Sequence, residues 1–229
     1  MSNHLCIVFI LQSHKNKSIQ NHLEEVMKFK KLIRNFCGHF STITRHKIVV
    51  MKHCFKVGLY KQGLLHDLSK YSPTEFIPGV KYFQGNKSPN NQQRLVEGCS
   101  EAWLHHKGRN KHHFEYWMDY PLNSREIHKL IGIEMPIRYA VEMFCDRVAA
   151  SKIYSKDAYT DRSPLEYYEQ GPAKGIMNER TAALLHHLLI MLAEKGEEKT
   201  FHYIRTKLLK KGRRHHLKKR RIQNSPKHS

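Results

Sequence analysis

The sequence predicts an all-α fold built around one main helical domain. Three observations lead there. Apolar residues recur at helical spacing through most of the chain, and no segment alternates convincingly as a strand would. The breaks between periodic stretches carry helix caps or stops, notably Thr, Ser-Pro and Gly. With 229 residues, the chain can fill one sizeable domain or at most two small ones. A hydrophobic share of 40% excludes a wholly disordered protein.

In chain order, residues 1–18 form an N-terminal segment outside the domain, either a flexible start or a helix packed on it. Their apolar run Leu5–Leu11 is too short to span a membrane, which needs about 20 residues. Neither a basic region before that run nor a small-residue cleavage site after it marks a secretory signal. From Ile19 to Phe36, apolar residues at 23, 26, 27, 29, 32, 33 and 36 give a helical spacing that Gly38 closes. Thr42 or Thr44 caps a second helix to about Tyr60, with Ile48, Val49, Met51, Cys54, Phe55 and Val57 available to the core. Gly63 then precedes a short apolar turn, Leu64-Leu65, that leads into His66-Asp67.

Ser72-Pro73-Thr74-Glu75 combines an N-cap serine, a first-turn proline and a glutamate three after the cap. That helix runs toward Phe83. Residues 85–91 read as a loop, 91–106 as a helix and 107–111 as a connection. A long helical stretch starts at Asn123 or Ser124 and reaches about Tyr154, with Pro136 kinking or splitting it. After a polar loop at 155–163, a short helix begins at Pro164. The last helix spans 178–195 and stops at Gly196. The main domain is therefore expected over 19–198.

The charge is uneven. Forty Lys and Arg face twenty Asp and Glu, a formal net charge of +20. Residues 199–229 hold twelve of the bases and no acid. This tail includes Lys210, Lys211, Arg213, Arg214, Lys218, Lys219, Arg220 and Arg221, a run that can contact nucleic acid or another polyanion, or simply be solvated. No base-reading motif accompanies it. Five cysteines (Cys6, Cys37, Cys54, Cys99 and Cys145) lack any C-x-x-C spacing, which suits reduced thiols and a cytoplasmic setting.

Chemistry concentrates between residues 46 and 146. His66 and Asp67 pair a neutral imidazole with a carboxylate, a mixed set suited to a divalent cation. His46 lies upstream, with His53 two turns further on nearly the same face. His105, His106, His112 and His113 follow in HHKGRNKHH. Asp146 then sits in the apolar stretch MFCDRVAASKIY, where a buried carboxylate needs a partner. Glu75 reads as a helix-capping carboxylate or a base, and Asn110 as a ligand contact or a helix end. Trp103, Phe114, Tyr116 and Trp117 read as core. His186-His187 lies in an amphipathic helix and His215-His216 in the tail, neither expected to act on a ligand.

The order His, His-Asp, further His, then Asp resembles the HD-domain superfamily of metal-dependent phosphohydrolases. It is most similar to an uncharacterised HD-like branch. The blocks that carry the resemblance are HKIVV at 46–50, HDLSK at 66–70, where Ser69 replaces a family glycine, and HHKGRNKHHFEYW at 105–117. They fall within residues 40–155. The resemblance implies a helical bundle with a metal site between helices. It implies His46, His66, Asp67 and Asp146 as ligands, with His46 preferred to His53 because it opens its block. Asp67 and Lys70 become the catalytic pair, Lys70 meeting a substrate phosphate. His105, His106, His112 and His113 become contacts for a second metal or a phosphate. The implied cofactor is a divalent ion: Mn, Fe, Co, Ni, Zn or Mg.

Three functions follow as expectations. The first is metal-dependent hydrolysis of a phosphate ester, a nucleotide or a small phosphorylated metabolite. The second is a non-catalytic metal- or nucleotide-binding protein with a polyanion-binding tail. The third is a nucleic-acid-binding helical protein in which the histidine order is coincidence.

Overall fold

The computed structural model describes residues 2–85, 87–121, 130–171 and 173–210, with side chains from residue 20 onward except that of residue 174. It shows an all-α bundle with one very short antiparallel ribbon. Helix α1 runs unbroken over Ser2–Val57, so the stop expected at Gly38 and the new start at Thr42 or Thr44 do not occur. Gly38 is a packing glycine instead. A Cβ there would collide with the Phe83 ring. Thr42 spends its hydroxyl on the Gly38 carbonyl within the same helix. The backbone of residues 2–18 continues α1; the side chains of Leu5–Leu11 lie outside the described residues.

The helix ends at Val57 because Gly58 takes a left-handed φ of 85°, short of the expected Tyr60. Helix α2 (Tyr60–Leu65) and a 3-10 turn (Leu68–Tyr71) flank His66-Asp67. Helix α3 (Pro73–Lys81) starts after Ser72, as the Ser-Pro signal predicts, though the Ser72 hydroxyl makes no capping bond. The helix expected over 91–106 is two helices. These are α4 (Pro89–Glu97) and α5 (Glu101–Arg109), parted by Gly98 at φ 79°. Pro89 already opens α4, so the expected loop is shorter. Ser100 caps α5 by accepting from the Trp103 amide at 3.1 Å.

A 3-10 turn (Phe114–Trp117) leads into strand β1 (Met118–Asp119), which pairs with β2 (Ile131–Gly132). Residues 130–136 are not helical, which corrects the long helix expected from Asn123 or Ser124. That expected start itself lies outside the described residues. Helix α6 (Ile137–Ser155) begins directly after Pro136, which neither kinks nor splits it. Helix α7 (Ser163–Gln170) and the single turn α8 (Ala173–Ile176) follow. Helix α9 (Glu179–Tyr203) starts at the Asn178 cap and passes Gly196 with a kink, then closes in a π-turn at Ile204–Leu208.

The core lies between α1, α6 and α9. Val50, Cys54 and Val57 of α1 meet Val141, Phe144, Cys145 and Val148 of α6 and Leu185, Leu188, Leu189 and Leu192 of α9. Ile48, expected in the core, is exposed. Thr200, Phe201, Ile204 and Leu209 are buried. The stretch expected as a tail from Lys199 therefore packs on the bundle as far as Leu209. Lys210 is exposed; Lys211, Arg213, Arg214, Lys218, Lys219, Arg220 and Arg221 lie outside the described residues, as does His215-His216. Helix α3 leans against α1 on one side and carries α4 and α5, and the clustered histidines lie where α1, α5 and α6 approach. Leu23, Phe29 and Ile33 of α1 stay exposed ahead of this contact. Among the described residues, no helix is long and apolar enough to cross a membrane.

Candidate metal centre

Four stretches of chain converge on Asp67. Its backbone is left-handed (φ 54°, ψ 24°), a conformation that is uncommon for a non-glycine residue and most often tolerated by Asn and Asp. The turn is tied to α1 by Lys47, whose ammonium donates to the carbonyls of Leu64 at 2.7 Å and His66 at 2.8 Å. Asp67 is 1% exposed, and its two carboxylate oxygens face different partners.

Oδ2 faces the first group. It lies 3.3 Å from His66 Nε2 and 3.6 Å from His46 Nε2. Asp146 Oδ1 completes this group at 2.9 Å from His46 Nε2 and 3.5 Å from His66 Nε2. Oδ1 faces the second group, 3.4 Å from both His106 Nε2 and His112 Nε2. His113 Nε2 joins it at 2.9 Å from His106 Nε2. Within each group the candidate ligand atoms lie within 4.8 Å of one another. His46, His66, Asp67 and Asp146 form one set able to hold a metal, Asp67, His106, His112 and His113 a second, and His66, His112 and Glu142 a third that does not include Asp67.

The opposite faces of these rings are anchored. Glu75 accepts from His106 Nδ1 at 2.7 Å and from His105 Nδ1 at 2.6 Å. It therefore serves the histidines, not the α3 cap that is one of its two expected roles. Glu142 accepts from His66 Nδ1 at 3.0 Å and also lies 3.3 Å from His112 Nδ1. An Nδ1–H held by a carboxylate leaves Nε2 as the lone-pair nitrogen, the arrangement that prepares an imidazole for a metal. The fit is supported by atoms left without partners. His46 Nε2, His66 Nε2, Asp67 Oδ1 and His112 Nε2 are buried and make no hydrogen bond. Buried polar atoms rarely stay orphaned, and here all four face one small volume.

The electrostatics agree with a site that concentrates charge. Burial opposes ionisation of Asp67, but His66, Lys70 and His106 outweigh it and hold the carboxyl well below the usual range. Burial opposes ionisation of Asp146 as well, but the His46 and His66 rings beside it outweigh burial and keep its carboxyl well below the usual range. For Glu142, bonds from His112 and His66 overcome burial and bring the carboxyl down to about 2. Burial disfavours protonated His66, yet Asp67 and its acceptors raise it well above the ordinary histidine value, so without an ion Nε2 holds a proton that metal binding would displace.

A family model matches residues 35–191, a span that contains every residue of both groups. The chain belongs to DUF5662, a family of unknown function. No curated protein and no solved structure matches it. What this DUF5662 chain presents is an all-helical domain with clustered His and Asp residues able to chelate a metal ion.

The remaining site expectations sort by distance. His53 is buried away from the cluster, its Nδ1 3.4 Å from the Cys145 carbonyl and its ring against Phe201. Lys70 lies on Asp67 Oδ2 at 2.5 Å, so its ammonium already has a carboxylate partner. His105 belongs to neither set. Asn110 ends α5 by bonding the His106 carbonyl at 2.8 Å and also reaches the Ser69 hydroxyl. Trp103 is half-buried against His106 and His113, Phe114 is core, Trp117 packs on the core edge and Tyr116 is exposed. His186 lies near Glu169 and His187 against Tyr203, both remote from the cluster. Glu142 was missed. Its signal was a second carboxylate one turn before Asp146 on the same apolar helix.

Proposed function

We propose that the protein is a metal-dependent phosphohydrolase with a two-ion centre shared through Asp67. Its substrate would be a phosphate ester, a nucleotide or another small phosphorylated metabolite. The observation that carries this reading is the set of orphaned, buried Nε2 and Oδ1 atoms around one carboxylate. His46, His66, Asp67 and Asp146 would hold one ion, and Asp67, His106, His112 and His113 the other. A divalent ion in such a site lowers the pKa of bound water and offsets charge on a phosphoryl oxygen. Mixed imidazole and carboxylate donors favour Mn, Fe, Co, Ni or Zn over Mg.

The chain's own groups do the rest. Lys70 neutralises Asp67 when no phosphate is present. Its side chain is 27% exposed and can swing to a substrate oxygen. His105, fixed through Nδ1 by Glu75, keeps Nε2 as a lone-pair nitrogen able to take a proton from an attacking water. Exposed Lys210 opens the basic run assigned here to nucleic acid or another polyanion.

One observation favours a second reading, a metal-binding protein without turnover: Lys70 is already spent on Asp67. The test is metal content of the full chain and Asp67→Ala, followed by hydrolysis of phosphate esters with Mn added. Near-stoichiometric metal lost in the variant, with metal-dependent turnover, supports the enzyme. Metal without turnover across nucleotides and sugar phosphates supports the second reading. Metal in neither protein overturns both.

A further inference from the structure

The two candidate ion positions share more than Asp67. Behind them, a single oxygen of Glu142 faces a histidine from each: Oε1 takes His66 Nδ1 at 3.0 Å and lies 3.3 Å from His112 Nδ1. Those two rings are packed together, centroids 4.3 Å apart and planes tilted by 36°. The other oxygen, Oε2, is fixed by Gln62 Nε2 at 2.6 Å, and Gln62 also reaches the Arg138 carbonyl. Glu142 itself is 5% exposed. Glu75 offers the contrast, since its contacts are His106 of the second group and His105 of neither.

We propose that Glu142 is a positioning residue that couples the two metal positions, so that loading one favours loading the other. The inference rests on the metal-centre reading above. A neutral imidazole carries one N–H. While His66 donates its N–H to Oε1 and His112 turns its Nδ1 toward the same oxygen, both present a bare Nε2 to their groups. Positive charge placed on either Nε2 makes that ring's Nδ1–H a stronger donor and draws Oε1 into place. The same oxygen is then held for the other ring. Without the carboxylate, each ring is free to adopt the opposite tautomer and turn its N–H toward Asp67, which opposes a cation there.

The test is calorimetric titration of Mn(II) into metal-free full-length protein, with electron paramagnetic resonance to detect paired ions. Wild type, Glu142→Gln, Glu142→Ala and Glu75→Gln are compared, each checked for helical content. Wild type is expected to take two equivalents that give a spin-coupled signal. Glu142→Ala should weaken both equivalents by about 10–100-fold and remove the coupled signal. Glu142→Gln keeps an acceptor oxygen without the charge and should lose less. Glu75→Gln should weaken one equivalent only. Unchanged binding of both equivalents by both Glu142 variants, or loss of one alone, overturns the coupling while the metal centre stands. A wild type that binds one ion also overturns it. Failure of wild type to bind Mn at all overturns the metal-centre reading and the coupling together.

Discussion

His39 shows how a single buried group sets a pH response. Its ring lies between Phe76 and Phe83, and it presses so closely on Gly79 that a Cβ there would collide with it. Burial, helped by the Lys70 ammonium, pushes its pKa from the ordinary 6.5 down to about 4. The folded state therefore holds the neutral form at pH values where the unfolded chain takes a proton. Above about pH 6.5 both states are neutral and nothing is lost. As pH falls from about 6.5 to about 4 the unfolded state gains the proton alone, and stability declines; below that the difference is constant. Between pH 7 and 5 this one residue should remove about 1–2 kcal/mol. Urea unfolding of wild type and His39→Gln at both pH values checks it: the wild type should lose more, by that amount. Equal losses in the two proteins would count against the assignment. Nothing in the sequence distinguished His39 from its neighbours, because its environment comes from α3, more than thirty residues on.

At the scale of elements, what was legible was local and what was missed was tertiary. Helical type was readable from spacing, and Pro73, Pro136, Pro164 and Asn178 stand at or beside helix starts because their chemistry is confined to a few residues. Glycine was the weak signal. Gly58 and Gly98 do end helices, with positive φ, whereas Gly38 sits inside α1 to admit a ring. The order of His46, His66-Asp67, His106 and Asp146 was legible, but the sharing of Asp67 and the anchoring by Glu75 and Glu142 were not. Those depend on which ring nitrogen faces which carboxylate. Gly196 is the sharpest case. Its sequence signal is a helix stop, yet φ 79° and ψ 172° turn α9 so that residues after it pack back on the core. Phe201 then meets the His53 and Phe144 rings, and Ile204 is fully buried. That backbone region is essentially restricted to glycine, so Gly196→Ala should cost about 1–3 kcal/mol. Chemical unfolding measures the cost, and faster proteolysis after residue 196 should accompany it. A stability equal to wild type would mean the kink is not required.

For the whole molecule, the clustered groups tie together α1, the turn after α2, α5 with the loop beyond it, and α6. His46 comes from α1, His66 and Asp67 from the following turn, His106, His112 and His113 from α5 and the loop beyond it, and Asp146 from α6. Unfolding scatters all of them. Ligand atoms assembled only in the folded state make metal binding a term in global stability. One ion at a hundred times its dissociation constant adds about 2.7 kcal/mol. A domain near 200 residues shifts by about 2–4 °C per kcal/mol, so Mn(II) should raise the midpoint by about 5–10 °C over the metal-free protein. A chelator should reverse the shift. The increment should grow with the logarithm of free metal, as mass action requires, and should vanish in Asp67→Ala, which removes the carboxylate common to both groups. Asp146→Asn touches one group only and should leave part of it. A melting temperature indifferent to Mn in the wild type would show that these side chains close the fold by hydrogen bonds and charge alone, with no ion among them.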